Sequence, residues 1–119
     1  MKLMICGSRS ITDKAWSFEQ INNCVSKHNF DEIVVIEGEA RGIDTFARQW
    51  AERHGYKIEK YPADWSLYGR KAGFVRNEIM VKACDFCLII WDGESHGTLN
   101  DIKLCKKLNK PYDLVIYKR

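Results

Sequence analysis

Four short stretches of this chain carry side chains that could do chemistry. Gly7-Ser8-Arg9 offers a glycine that lets a ligand approach the backbone, a hydroxyl, and a cation able to fork onto a phosphate or carboxylate. An ordinary turn with an exposed arginine has the same sequence. In Gly38-Glu39-Ala40-Arg41-Gly42-Ile43-Asp44 the glycines Gly38 and Gly42 again mark close approach, with Arg41 as an anion contact and Asp44 as an acceptor for a ribose or base. The spacing of Arg41 and Asp44 also suits simple pairing along a helix start. Arg76-Asn77 puts a cation early in a helix, where the dipole disfavours it by a few tenths of a kcal/mol up to about one, so a phosphate facing it would be a compensation. The fourth stretch, Asp92-Gly93-Glu94-Ser95-His96-Gly97-Thr98, is a polar loop between glycines that leads into a helix N-terminus, where backbone N–H groups and the dipole converge on anions. Here Asp92, Gly93, Ser95, Gly97 and Thr98 are candidate ligand contacts, and His96 reads as an exposed loop residue. Asp101 has a structural explanation of its own, because Thr98-x-x-Asp101 has the spacing of a capping box.

All but Arg76-Asn77 follow a run that reads as a strand. Phe86-Cys87-Leu88-Ile89-Ile90-Trp91 carries no charge and is rich in branched and aromatic residues, the pattern of a central strand buried on both faces. Lys2 to Cys6 is the first strand, Glu32 to Glu37 the second, the alternating Tyr56 to Tyr61 an edge strand, and Tyr112 to Tyr117 the last. Helices fill the intervals. One is capped by Thr12 or Asp13 with Ala15, Phe18, Ile21 and Val25 apolar, and one runs from Ile43 to the Gly55 stop. A third turns Val75, Ile79, Met80 and Ala83 inward, and the fourth carries Leu99, Ile102, Cys105 and Leu108. Five strands alternating with four helices predict an α/β fold, a Rossmann-like three-layer αβα sandwich on a parallel sheet of order 3-2-1-4-5. That order brings the turns after the first, second and fourth strands to one edge. Pro62 to Gly73 is the longest connection and has no clean period; connections of that length in compact domains tend to be functional or mobile.

The whole sequence bounds what such a site serves. At 119 residues the chain has room for one domain, and no apolar run approaches the roughly 18 residues of a membrane helix. The start shows no signal-peptide pattern, so a cytoplasmic protein is expected. A net charge of +3 spread over the chain gives little support to a duplex-binding face, and nucleic acid is not the expected partner. Trp65, Tyr68, Arg70 and Lys71 nevertheless mix aromatics with cations in the way that suits single strands, an alternative kept in view. Five cysteines and a lone CxxC at Cys84 to Cys87 read as buried reduced thiols, with no metal and no cofactor expected.

Taken in order, Gly7-Ser8-Arg9, Glu37-Gly38-Glu39-Ala40-Arg41-Gly42-Ile43-Asp44, Pro62-Ala63-Asp64-Trp65, Ala72-Gly73 with Arg76-Asn77 and Met80, and Trp91-Asp92-Gly93 with Ser95 and Gly97-Thr98 resemble the YspA-type, cpYpsA-related branch of the SLOG superfamily. The resemblance runs from the first strand to the last helix. It implies one Rossmann-like SLOG domain over residues 1–119 that binds a nucleotide or nucleotide-derived small molecule, with a homodimer compatible with that reading. Relatives in the superfamily include the LOG phosphoribohydrolases, which cleave the N-glycosidic bond of a nucleoside monophosphate, and a DNA-processing protein that binds single strands. Arg76 and Met80 match the Arg-Lys-x-x-Met motif of those hydrolases, with Asn77 in place of its Lys. Gly93 to Thr98 matches their Gly-Gly-x-Gly-Thr phosphate loop, lengthened by Glu94 and Ser95, and their catalytic Glu falls on Asp101. An Asp is one methylene shorter, and a misplacement of about 1 Å can cost about 10²-fold in rate. The resemblance therefore implies binding first. Hydrolysis of a nucleoside monophosphate, with Arg76 orienting substrate and Asp101 as catalytic carboxylate, is the alternative enzymatic reading.

Overall fold

A computed structural model describes residues 1–118. The elements run β1 (Lys2–Gly7), α1 (Lys14–His28), β2 (Val34–Glu37), α2 (Ile43–His54), β3 (Lys57–Lys60), α3 (Trp65–Tyr68), a 3-10 turn (Gly69–Lys71), α4 (Ala72–Ala83), β4 (Phe86–Trp91), α5 (His96–Lys107) and β5 (Tyr112–Ile116). All strand pairs are parallel and the order is β3-β2-β1-β4-β5. This is the predicted order, with a Rossmann-like sheet whose first and fourth strands meet at the centre.

Strand alternation divides the core into two halves. Leu3, Ile5, Val35, Leu88 and Ile90 face α1 and α2, where Trp50, Ile43 and Ile21 are almost fully buried. Met4, Cys6, Ile36, Cys87 and Ile89 face the other way, against Met80 and Val81 of α4 and Ile102 and Cys105 of α5. A sheet apolar on both faces needs helices on both, which is why the central strands read as unbroken apolar runs. Asp13 caps α1, its carboxylate accepting from the Trp16 N–H at 3.0 Å, and Gly55 ends α2 in the left-handed conformation.

Two expectations need correction. The connection after β3 is not irregular: Asp64 accepts from the Leu67 N–H at 3.1 Å and caps α3, and the 3-10 turn then joins α4, so short helical turns hid the period. Ile79 is 48% exposed and does not face inward. It lies on the outer side of α4, while Asn77 and Met80 take the buried positions.

Gly42, which begins α2, has φ +75° and ψ −126°, and a Cβ there would stand 2.8 Å from the Ser8 carbonyl oxygen. Gly42→Ala should therefore cost about 1–3 kcal/mol of stability from backbone strain alone. The check is a lower urea midpoint with an unchanged denaturant slope.

Candidate functional site

The carboxyl ends of β1, β2 and β4 converge on a cavity of about 340 Å³, bordered by Gly7, Arg9, Asp44, Arg76, Thr98 and Asp101. Not every residue of the turns reaches it. Ser8 is 1% exposed; its Oγ accepts from the Asp92 N–H at 3.0 Å and lies 3.2 Å from Thr98 Oγ1. Ser10 Oγ donates to Asp92 Oδ2 at 2.6 Å, and Asp92 Oδ1 accepts from the N–H groups of Glu94 and Ser95 at 2.9 and 2.8 Å. Burial would raise the Asp92 carboxyl, but these donors outweigh it and hold its pKa at about 2. Ser8 and Asp92 thus staple the first turn to the fourth.

The fourth turn opens α5 earlier than expected. Ser95 is the cap, its Oγ accepting from the Thr98 N–H at 3.5 Å, and the helix starts at His96. Thr98 then belongs to the first turn of α5, and the proposed box of Thr98 with Asp101 does not form. Asp101 sits in the second turn, 5% exposed, with Oδ1 lacking a hydrogen-bond partner among the described residues. Gly97 borders the cavity, and apart from its chain neighbours and the backbone of its own helix nothing lies within 4 Å of where its Cβ would stand. A ligand therefore has room to approach the helix start at that point.

Opposite α5, Asp44 in the first turn of α2 accepts from the Ala40 N–H at 3.2 Å and is 5% exposed. Burial raises its pKa to about 7, against the Ala40 hydrogen bond and the Arg76 charge. Asp101 is raised to about 7 as well, by burial first, with the Cys6 thiol and Arg76 opposing and the Asp44 charge adding to the rise. Arg76 is half-buried and turned towards backbone carbonyls. Its guanidinium donates to the carbonyl oxygens of Gly38 and, at 3.4 Å, Tyr61, while Nε donates to Asn77 Oδ1 at 2.9 Å. A Cβ on Gly38 would stand 2.6 Å from an Arg76 nitrogen and 3.0 Å from Asp44 Oδ2. Gly38 is thus the opening that admits the cation, and a Cβ on Gly7 would meet Ile43 and the Ile90 carbonyl oxygen. The close approaches these glycines permit are within the protein.

Of the predicted site residues, the fold brings Gly7, Arg9, Asp44, Arg76, Asn77, Ser95, Gly97, Thr98 and Asp101 to one cavity. Arg41 is exposed outside its lining, and Gly42 and Gly93 serve backbone conformation, both with positive φ. The lining also includes Trp65 and Arg70, from the aromatic and basic stretch, while Tyr68 borders a neighbouring groove with Pro62 and Ile79. Phe74, 51% exposed at the mouth, was not anticipated; its signal is a large apolar side chain out of phase with the inward positions of α4.

With a β3-β2-β1-β4-β5 sheet whose turns meet at one carboxyl edge, the chain belongs to the YspA, cpYpsA-related SLOG family, whose model matches residues 1–68. It is 33% identical over 116 residues to the Gene 61 protein of Mycobacterium phage D29, covering 92% of each chain. In fold it is similar to DNA processing protein A from Streptococcus pneumoniae, with a TM-score of 0.77 at 18% identity over 98% of this chain. It is also similar to DNA processing protein A from Helicobacter pylori, whose structure concerns a single-stranded DNA binding mode, with a TM-score of 0.69 at 19% identity over 99% of this chain. The chain spans 50% and 66% of the lengths of those two structures. Among the described residues, no helix is long and apolar enough to cross a membrane.

The two buried carboxyls make stability depend on pH. A carboxyl whose pKa is higher in the folded state contributes stability that is fully present below its unfolded value of 3.8 and is lost as pH rises through about 7. Glu37, raised by its own burial, shifts in the same direction. The melting temperature should therefore fall between about pH 4 and about pH 7, and Asp101→Asn should flatten that fall by removing one of the groups. Thermal melts of both proteins across this range are the check; an equally steep fall in the variant would rule Asp101 out as a source.

Proposed function

We propose that this protein binds single-stranded nucleic acid across the mouth of the cavity. The observation that carries the reading is the exposure of Trp65 (56%) and Phe74 (51%) on the rim of a cavity that also presents Arg9 and Arg70. Aromatic side chains of this size are normally buried; left at a basic rim they offer faces on which bases stack while cations follow the backbone. A cavity of about 340 Å³ is at the small end of ligand pockets and suits one nucleotide of a longer strand, with the next bases over the aromatics. Phosphate would meet Arg9 and the N-terminus of α5 around Gly97 and Thr98. Burial raises Asp44 and Asp101 to about 7, against the Arg76 charge, so near neutral pH they weaken the positive field of the arginines less than ordinary carboxylates would.

This corrects two expectations from the sequence. A nucleotide-derived small molecule was the first reading and nucleic acid was not the expected partner. The fold match to a protein with a single-stranded DNA binding mode favours the alternative, and the aromatic rim agrees with it. The charge argument failed because it addressed duplex binding, which needs a broad basic face, whereas a single strand needs only a short basic track beside stacking surfaces. The cytoplasm, as a reducing compartment, suits cysteines that are all buried and free of disulfides.

Fluorescence anisotropy with a labelled oligothymidylate tests the reading. Affinity should fall linearly with salt on logarithmic axes, and Trp65→Ala should weaken binding about 5- to 100-fold, as loss of one stacked base does. Arg9→Ala should lower the salt slope by about 0.7, the share of one phosphate contact on a single strand. Absence of binding at low salt, or a Trp65→Ala variant that binds like the wild type, would reject it.

A further inference from the structure

We propose that Cys24, His28 and Asp113 form a site for a zinc ion, none of whose residues lines the nucleic-acid cavity. Cys24 and His28 are one helical turn apart on α1 and so share a face. Asp113 comes to that face from β5, where it pairs in register with Leu88 of the central strand β4. A Cys24 sulfur, a His28 nitrogen and an Asp113 oxygen all lie within 4.8 Å of one another, and His28 Nε2 is 2.8 Å from Asp113 Oδ2. Ligands held about 2.0–2.3 Å from a tetrahedral zinc stand roughly 3.3–3.8 Å apart, so side-chain adjustment alone would seat the ion. His28 is steered towards this position by its neighbours: Phe30 stacks on it at 5.0 Å and Phe86 lies at 4.7 Å.

The donor set selects the metal. One sulfur, one nitrogen and one oxygen suit zinc, whereas magnesium and calcium take oxygen ligands. A cavity of about 190 Å³ beside Gln20 and Asn23 reaches Cys24 and Asp113, giving an entry path and room for a water as fourth ligand. Lys27 is the competing cation, with Nζ 3.7 Å from Asp113 Oδ1, but its side chain is 67% exposed and free to swing into solvent. Burial first, and then the Asp113 charge, raise the Cys24 thiol to about 12. Zinc opposes both causes: the sulfur–zinc bond forms as the sulfur–hydrogen bond breaks, and the proton leaves to water. The sequence argued against a metal because its CxxC, Cys84 to Cys87, stands alone. Here the third ligand comes from the opposite end of the chain, and only the fold brings it near.

The test uses the full chain stripped with a chelator and titrated with zinc or cobalt(II). One equivalent of zinc should raise the melting temperature, and cobalt should give a sulfur-to-metal charge-transfer band in the near ultraviolet. Cys24→Ser should abolish the band and His28→Gln should remove the thermal shift, while Cys84→Ser keeps both. Because Cys24 is buried and its variant could fail to fold, Asp113→Asn serves as a second variant and should weaken zinc at least about tenfold. No thermal shift and no band in the wild type, a band that survives in Cys24→Ser, or undiminished affinity in Asp113→Asn would each overturn the proposal. Oligothymidylate affinity should be the same with and without zinc, so this outcome separates from that of the nucleic-acid reading.

Discussion

The edge of this sheet is organised around one cation placed among buried acids. Arg76 reaches from α4 to the carbonyl oxygens of Gly38 and Tyr61, joining the ends of β2 and β3 to the helix that follows them. A guanidinium satisfies several carbonyls at once because its donors form a fixed fork, a geometry that a lysine cannot reproduce. Its charge also moderates the cost of burying Asp44 and Asp101, neither of which forms an ion pair with it at contact distance. Removing one member of such a group leaves the others uncompensated, which is why the individual side chains cannot be valued separately.

The strands were legible because a doubly covered parallel sheet demands continuous apolar runs, and Phe86 to Trp91 is the longest of them. Topology followed from the alternation of elements and the handedness of crossovers. The start of α5 was not legible: Ser95 and Thr98 are both good caps, and choosing between them takes the backbone of the preceding turn. Asp101 changed meaning with that choice, from a surface cap to a buried carboxyl. The glycines were read as making room for a ligand, and the structure gives part of that room to the protein itself. At Gly38 the occupant is Arg76, contributed by a distant helix whose approach no local pattern encodes. Phe74 was overlooked for a related reason, since helical period marks which residues face the core and is silent about what an outward aromatic faces.

The two halves of the core carry different polar loads. On the α1 and α2 side, Trp50 Nε1 donates to Asn22 at 2.9 Å, so even the largest buried ring meets its one polar demand locally. On the α4 and α5 side, Cys6 and Cys87 stand 3.8 Å apart: the hydrogen bond between them lowers the Cys6 thiol, yet burial still holds it well above its ordinary range, and at Cys87 burial and the hydrogen bonds to Cys105 and Cys6 all raise the thiol. Asp101 lies against that second half. Asp101 and the Cys6 and Cys87 thiols therefore sit together on the face that borders the cavity, while the opposite face, Cys24 apart, is packed mainly with hydrocarbon and aromatic rings.

The register of the central strands has a consequence for how the chain is made. Leu3 pairs with Val35 on one side and with Phe86 on the other, so β1 lies between partners that leave the ribosome at very different times. The half from β1 to β3 has its own helices, α1 and α2, to cover one face, and all of it precedes β4 in the chain. Until β4 emerges the other edge of β1, and the apolar face bearing Met4 and Cys6, stay open to any strand or chaperone that finds them. Long-range parallel pairing is slow to form for the same reason, since the intervening chain must be ordered before the contact rewards it. The innermost strand of the finished sheet is thus the one that waits longest for its second neighbour during synthesis.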